Sequence, residues 1–176
     1  DGTSNFLNGI PQFAISVGYE EKGEIICGMI FDPIKNELFF AEKGSGAFLN
    51  NSRMRVSNKK KLRESILVTG GPRSKNKNRD VIFKKYIEIS NSVDIPIRKF
   101  GSASLDLANV ACGRFDGFWE WGLNYWDIAA GLIILKESGG FVDFIGKKEE
   151  ALSKKIIIAT NSKIHQELRN LLEKKY

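Results

Sequence analysis

The sequence is poor in the residues that build disulfide frameworks and metal clusters, with one His, two Cys and four Pro in 176 residues. Cys27 and Cys112 stand alone with no CxxC pair, which excludes a disulfide framework or a structural zinc site and predicts buried, reduced thiols in a cytoplasmic protein. No apolar run approaches the roughly 20 residues that cross a bilayer. No basic and apolar leader opens the chain. We therefore expect neither a membrane span nor a membrane partner.

The chain does carry enough apolar surface for one compact globular unit, with 42% hydrophobic residues and 17 Gly. Its net charge of +6 raises the question of a nucleic-acid partner. Aromatic residues are not interleaved with the cations, so a solvated, lysine-rich surface is the favoured interpretation. The cations cluster at Lys59–Lys61, Arg73–Arg79, Lys84–Lys85, Lys147–Lys148, Lys154–Lys155 and Lys174–Lys175.

Two patterns follow one another along the chain and predict an α/β fold with two layers. Alternating apolar residues separated by Gly and Asn turns predict an antiparallel meander in the first third. Its strands are expected at Phe13–Tyr19, Ile25–Phe31, Glu37–Glu42, Ala47–Asn50 and Met54–Val56. We place a subdomain boundary after a basic linker, which gives residues 1–60 and 61–176 within one compact unit.

The second part alternates strands and helices, which predicts a mixed layer packed beside the meander. Strands are expected at Ser65–Thr69, Ile97–Phe100, Gly117–Trp121, Phe141–Phe144 and Lys155–Ala159. Helices are expected at Arg79–Ser90, Ser102–Cys112, Asp127–Ser138 and Lys163–Lys174, the third closed by Gly139-Gly140.

Three segments place polar groups at a turn or a helix start. Asp1-Gly-Thr-Ser-Asn-Phe6 can bind an anion through free amides, or be a plain turn before a helix capped by Thr3 or Ser4. Gly101-Ser-Ala-Ser104 is a similar turn, or an ordinary strand-to-helix connection. Glu120 ends a strand before an aromatic loop, and Asp127 is either a helix cap or a Mg²⁺ ligand.

Taken together these segments resemble the inositol monophosphatase family over essentially the whole chain. Asp1-Gly-Thr-Ser-Asn-Phe6 with Gly9-Ile-Pro11 is similar to its first signature, and Trp126-Asp-Ile-Ala-Ala-Gly131 to its second. Ser102-Ala-Ser-Leu-Asp-Leu-Ala108 points to its bacterial extragenic-suppressor branch. The resemblance implies a sugar-phosphatase fold, an antiparallel sheet followed by a mixed α/β layer.

The resemblance also implies a site for Mg²⁺ and phosphate. Asp1 and Asp127 match the two carboxylates on the second metal, and Asp1 also lies on the sugar side of the substrate. Gly2 and Thr3 match the amides that bind phosphate, and the Thr3 hydroxyl matches the group that orients the attacking water. The function implied is a Mg²⁺-dependent phosphomonoesterase acting on inositol monophosphate or a similar small polyol phosphate.

Other residues are matched to recognition of the substrate. Glu120 and the turn of Gly101, Ser102 and Ala103 match the groups that select the polyol hydroxyls, and Arg98 is a further contact in the bacterial branch. The only His, His165, lies far from these motifs and is expected to be a surface or half-buried residue.

The family pattern contains two acidic ligands upstream of Asp1, together with helices that cover one face of the antiparallel sheet. These features are missing from the sequence. We therefore expect the chain alone to be a poor phosphatase with exposed apolar surface. Other substrates of the superfamily remain open, among them nucleotide 3′-phosphates, histidinol phosphate and fructose bisphosphate. A second alternative also remains open, in which the chain is a non-catalytic binding protein associated with RNA and the transcription machinery. The family pattern also implies a homodimer.

Overall fold

The computed structural model of the protein describes residues 1–71, 78–147, 149 and 151–174. Within these residues the chain forms two β-sheets flanked by five α-helices. None of the helices in this part of the chain is both long enough and apolar enough to cross a membrane.

The first sheet is an antiparallel meander of five strands in sequential order. Its strands are β1 Ile15–Glu21, β2 Glu24–Asp32, β3 Glu37–Glu42, β4 Gly46–Leu49 and β5 Ser52–Arg53. A short helix, α1 Thr3–Leu7, precedes it. The meander predicted for the first third of the chain is therefore confirmed.

The second sheet has four strands in the order β6-β7-β9-β8, of which only β6 and β7 are parallel. Its strands are β6 Leu67–Thr69, β7 Gly117–Trp121, β8 Phe141–Ile145 and β9 Ile156–Thr160. The remaining helices are α2 Arg79–Ser92, α3 Ala103–Ala111, α4 Tyr125–Glu137 and α5 His165–Glu173, with short 3₁₀ turns at Leu62–Glu64 and Leu152–Lys154. The expected mixed layer is present.

Two glycines let α4 pack directly on the first sheet. Gly18 and Gly28 are paired across β1 and β2. A Cβ on Gly28 would lie 2.8 Å from the Cα of Ala130, and one on Gly18 would lie 3.0 Å from the Cβ of Ala129. Side chains at these positions would push α4 away, so the glycines set the height at which the helix lies over the sheet.

The opposite face of this sheet carries exposed apolar side chains. Successive side chains of a strand alternate between faces, so Ile15, Val17 and Tyr19 lie away from α4. They are 55%, 51% and 54% exposed, and Phe40 on β3 is 37% exposed. The expectation of exposed apolar surface on the antiparallel sheet is confirmed.

Two predicted strands are wrong. Met54–Val56 leaves the meander after one bond to Ala47, because the Val56 N–H donates to Ser138 at the end of α4 instead. Of Ile97–Phe100, only Arg98 makes a β-bridge, with Val68. Each segment has the composition of a strand, but it pairs with a neighbouring strand over only one or two residues.

Two predictions about burial also need correction. Cys27 and Cys112 are free, but each is only half-buried. Lys85 is 7% exposed and is not part of a solvated surface, because its Nζ donates to the carbonyl oxygens of Leu172 and Lys174. Burial lowers the pKa of this ammonium group. The cations at Arg73, Lys148 and Lys175 lie outside the described residues.

Candidate active site

Asp1 is anchored to the start of β1 through its backbone. Its amino group donates to the carbonyl of Ala14 at 2.7 Å, and the Ala14 N–H donates to the carbonyl of Asp1 at 2.9 Å. The Asp1 carboxylate Oδ1 accepts the N–H of Gly2 at 2.9 Å. These contacts hold the residue beside the first sheet.

The other oxygen of this carboxylate is held by α3. Oδ2 accepts hydrogen bonds from the hydroxyls of Ser102 and Ser104 and from the N–H of Ser104, each at 2.8 Å. Ser102 and Ser104 are 1% and 0% exposed. Three donors on one oxygen commit its lone pairs to the protein and fix the rotation of the carboxylate.

Ser104 ends the second candidate segment, but the sequence predicts no role for its hydroxyl. A Ser in the first turn of a helix full of Ala and Leu has the composition of a small packing residue. The only signal in the sequence was the repeated hydroxyl of Ser102 and Ser104 on either side of Ala103.

Gly2 brings the backbone of the first segment close to the loop before β1. It has a φ of 86°, and a Cβ there would lie 2.8 Å from the Gln12 carbonyl oxygen. Gly2 is also the N-cap of α1, and no side chain caps this helix. Capping by Thr3 or Ser4 is therefore wrong, since Thr3 is the first helical residue and both side chains are exposed.

The Gly101 turn lies against this first segment. The Asn5 side-chain amide donates to the carbonyls of Gln12 and Phe100 at 2.7 and 2.8 Å, and Gly101 adopts a φ of 82° beside it. Ser102 is the N-cap residue of α3, but its hydroxyl binds Asp1 and makes no capping hydrogen bond. Two of the three predicted segments therefore form one structure.

Arg98 and His165 are placed differently from the residues around Asp1. The Arg98 guanidinium donates to the Pro96 carbonyl, and its backbone pairs with β6. His165 is half-buried, as predicted, with Nδ1 2.7 Å from the Thr160 hydroxyl, and burial lowers its pKa. Within the described residues, the polar contacts of these two side chains involve none of the other candidate site residues.

Glu120 lies near the end of β7 and packs on Gly70, which follows β6. A Cβ on Gly70 would lie 2.0 Å from the Cδ of Glu120, so the carboxylate occupies the space that a side chain there would fill. Asp106, in the first two turns of α3, is 1% exposed. Burial, and then the negative charge of Glu120, raise the pKa of Asp106 to about 8.

The sequence suggested that α4 begins at Asp127. In the structure Asp127 is instead the third residue of this helix. The N-cap is Asn124, and the two residues form a reciprocal capping box. Oδ2 of Asp127 accepts the Asn124 N–H at 3.0 Å. The neighbouring Trp126 is 72% exposed. The Tyr125 hydroxyl donates to Glu20 at 2.5 Å, which raises the pKa of Tyr125 to about 12.

The first two turns of α3 bring these segments together. Ser102 and Ser104 hold Asp1, and Asp106 interacts with Glu120. A Cβ on Gly131 would lie 2.6 Å from Leu107, so α3 and α4 touch within two turns of both N-termini. This contact packs the middle of α4 against α3.

The carboxylates suit a cation that shares its coordination with a ligand. Oδ1 of Asp1 accepts only the adjacent Gly2 N–H, and Oδ1 of Asp127 accepts no hydrogen bond from the described residues. These residues contain no cluster of three or more His, Cys, Asp or Glu that would hold a metal unaided. Mg²⁺ is commonly bound through one or two carboxylates plus substrate phosphate, so the donor set fits it.

Comparison with known proteins agrees with this arrangement. The sequence profile of the Inositol monophosphatase family matches residues 1–175. An inositol-1-monophosphatase of Rhizobium meliloti is 45% identical over 99% of this chain and 65% of its own length. The Nus factor SuhB of Pseudomonas aeruginosa is 42% identical over 98% of this chain and 64% of its length. The chain thus spans about 65% of the length of these relatives.

The fold is likewise that of a solved relative. The crystal structure of the extragenic suppressor protein suhB from Bartonella henselae is 44% identical and superposes with a TM-score of 0.92, covering 100% of this chain and 67% of the other. The resemblance to the extragenic-suppressor branch is confirmed. On the profile match and these relatives, the chain belongs to the inositol monophosphatase family.

Proposed function

We propose that the protein is a Mg²⁺-dependent phosphomonoesterase that hydrolyses inositol monophosphate or a similar small polyol phosphate. The observation that carries the proposal is that the first two turns of α3 hold Asp1 and let Asp106 interact with Glu120, while Leu107 of the same helix packs on Gly131 of α4. The family assignment supports it, as does the similarity to the inositol-1-monophosphatase of Rhizobium meliloti.

Asp1 and Asp127 would hold Mg²⁺, each through Oδ1, because the protein's own donors hold the Oδ2 atoms. When bound, the cation supplies positive charge to the phosphate and the leaving oxygen and increases the acidity of coordinated water. The chain contributes two oriented carboxylates, so little reorganisation is needed when substrate arrives.

The remaining predicted residues divide between the phosphate and the polyol. Thr3 would donate its backbone N–H to the phosphate, and its exposed hydroxyl would orient the attacking water. Gly2 stays a prediction as a phosphate donor, since its N–H donates to Oδ1 of Asp1 in this structure. Glu120 and the turn of Gly101, Ser102 and Ala103 would receive the polyol hydroxyls. Arg98 stays a prediction as a further substrate contact, since its guanidinium binds Pro96 in this structure.

The decisive assay measures phosphate release from inositol 1-phosphate with and without Mg²⁺. The family pattern includes acidic ligands upstream of Asp1, so the intact mass of the endogenous protein is measured first. If that mass exceeds 19.8 kDa, the longer endogenous protein is the one to assay. We expect Mg²⁺-dependent release that Asp127→Asn lowers by at least about a hundredfold, since one ligand loses its charge. Release that Asp127→Asn leaves unchanged would contradict the proposal.

The substrate is tested in the same assay. Inositol 1-phosphate, a nucleotide 3′-phosphate, histidinol phosphate and fructose 1,6-bisphosphate are compared by kcat/KM. We expect the inositol ester to give the highest value, because Glu120 and the Gly101 turn offer acceptors and amides to ring hydroxyls. Faster hydrolysis of the nucleotide would replace this substrate assignment.

The second candidate function is binding to the transcription machinery without catalysis. It is favoured by the similarity to the Nus factor SuhB of Pseudomonas aeruginosa. Asp127→Asn separates the two functions, because it removes a cation ligand and leaves most of the surface unchanged. A partner that binds this variant as well as the parent uses another surface, while loss of both functions places them on one site. Homodimer formation, a cytoplasmic location and the subdomain boundary after residue 60 stay predictions.

A further inference from the structure

The hydroxyl of Ser104 is buried and directed at a single charged group. Ser104 is 0% exposed, and its Oγ lies 2.8 Å from Oδ2 of Asp1 and 3.4 Å from the Oγ of Ser102. A buried hydroxyl without a partner is costly, and an Ala of nearly the same size would avoid that cost in this apolar helix. The hydroxyl of Ser104 therefore acts as a hydrogen-bond donor to the carboxylate of Asp1.

We propose that Ser104 is a positioning residue that presents Oδ1 of Asp1 to a divalent cation. This inference rests on the proposed function only in that Asp1 is taken as a cation ligand. With three donors on Oδ2, rotation of the carboxylate about its Cβ–Cγ bond would break hydrogen bonds that no other described group replaces. Oδ1 is thereby kept on the open side.

We expect the N–H of Ser104 and the hydroxyl of Ser102 alone to hold the orientation of the Asp1 carboxylate less firmly than all three donors together. The backbone N–H is fixed by α3 and donates from one direction. Ser102 is the N-cap residue at the edge of the turn. The hydroxyl of Ser104 adds a third donor to Oδ2 from the first turn of α3. Hydrogen-bond partners of metal ligands of this kind typically contribute 10–100-fold in metal affinity.

A purely structural role makes a different prediction. If the hydroxyl of Ser104 only joined the first segment to α3, its removal would lower stability without changing cation affinity. Ser138 offers a matched control, because it is also 0% exposed and its hydroxyl donates to the Leu135 carbonyl at 2.8 Å. Ser138→Ala thus removes a buried serine hydroxyl that has no contact with Asp1.

The test measures binding of Tb³⁺ to the full chain through luminescence sensitised by the exposed Trp126, which adjoins Asp127. Mg²⁺ is then titrated against Tb³⁺, and urea unfolding of each variant reports stability. We expect Ser104→Ala to raise the Kd of both cations about tenfold and Ser138→Ala to leave both within about twofold.

The outcomes separate the two proposals. Luminescence that Asp127→Asn abolishes but Ser104→Ala leaves unchanged overturns the role of Ser104 and leaves the cation site in place. Luminescence that Asp127→Asn leaves unchanged overturns the cation site, and the role of Ser104 with it. A tenfold weaker Kd for Ser104→Ala supports the positioning role, provided that Ser138→Ala leaves the Kd within about twofold at a comparable loss of unfolding free energy.

Discussion

Asp1 and Asp127 carry the same chemical group, but the chain holds them in different ways. The donors to Asp127 are the backbone N–H and the side-chain amide of Asn124, three residues away in the same turn. The α3 donors to Asp1 come from Ser102 and Ser104, 101 and 103 residues away in sequence. One carboxylate is oriented by local helix geometry and the other by the tertiary fold.

The difference determines how each carboxylate responds to change. Asp127 keeps its orientation for as long as the first turn of α4 is formed, because the capping box is contained in that turn. Asp1 keeps its orientation only while α3 remains packed against the loop before β1. We therefore expect substitutions in α3 to affect Asp1 and substitutions in the α4 cap to have small effects.

A third acid, Asp106, extends this comparison. Its substitution is expected to have the largest effect on the free energy of unfolding. It follows Ser104 by two residues, yet its Oδ1 is buried with no hydrogen-bond partner among the described residues. Its folded-state pKa is raised to about 8, chiefly by burial and then by Glu120. Below about pH 4 the folded and unfolded states both hold the proton. Between about pH 4 and pH 8 unfolding releases the proton, so stability falls as pH rises.

Asp106→Asn cannot ionise and should lose this slope. From pH 5 to pH 8 we expect the free energy of unfolding of the parent to fall relative to the variant by about 1 kcal/mol per pH unit. Urea unfolding at four pH values measures the difference, with the exposed Asp80→Asn as the matched control. Parallel profiles for parent and Asp106→Asn would mean that Asp106 is ionised in the folded protein.

Asn substitutions at the two carboxylates test the comparison directly. Asp1→Asn replaces an acceptor of charge-assisted hydrogen bonds, and we expect it to lower the free energy of unfolding by about 1–2 kcal/mol. Asp127→Asn keeps a polar side chain in the first helical turn, and its cost should be about 0.5 kcal/mol. Thermal and urea unfolding measure both. Equal costs would show that the α3 hydrogen bonds add no stability beyond that of a local cap.

Much of the fold could be predicted because local signals agreed with tertiary pairing. The strands Glu37–Glu42 and Gly117–Trp121 were predicted at their observed bounds, since each is apolar, limited by turn residues and paired along its length. Ile97–Phe100 has a similar composition but makes a single bridge, at Arg98. How long a strand runs depends on the neighbour it finds, and the local sequence does not contain that information.

The residues of the candidate site also fall into two groups, those that a local motif indicates and those whose role depends on a distant residue. Asp1, Glu120 and Asp127 could be proposed as site residues because their motifs place acids beside turns and helix starts and resemble those of the family. Ser104 could not, because its function depends on a residue 103 positions away. The N-cap of α1 was also missed: Gly2 takes that position with a φ of 86°, since the close approach of Gln12 leaves no room for a Cβ.

The smallest expected effect on cation binding comes from the local cap of α4. Asn124→Ala removes the side-chain half of the capping box but keeps the backbone N–H that donates to Asp127 at 3.0 Å. We expect a loss of about 1 kcal/mol in the free energy of unfolding, with the Kd for Tb³⁺ within about twofold of the parent. Ser104→Ala, with its expected tenfold weaker Kd, is the contrasting variant. If Asn124→Ala weakened Tb³⁺ binding as much as Ser104→Ala does, Asp127 would depend on its cap as strongly as Asp1 depends on α3. The distinction between a locally held and a tertiary-held carboxylate would then be wrong.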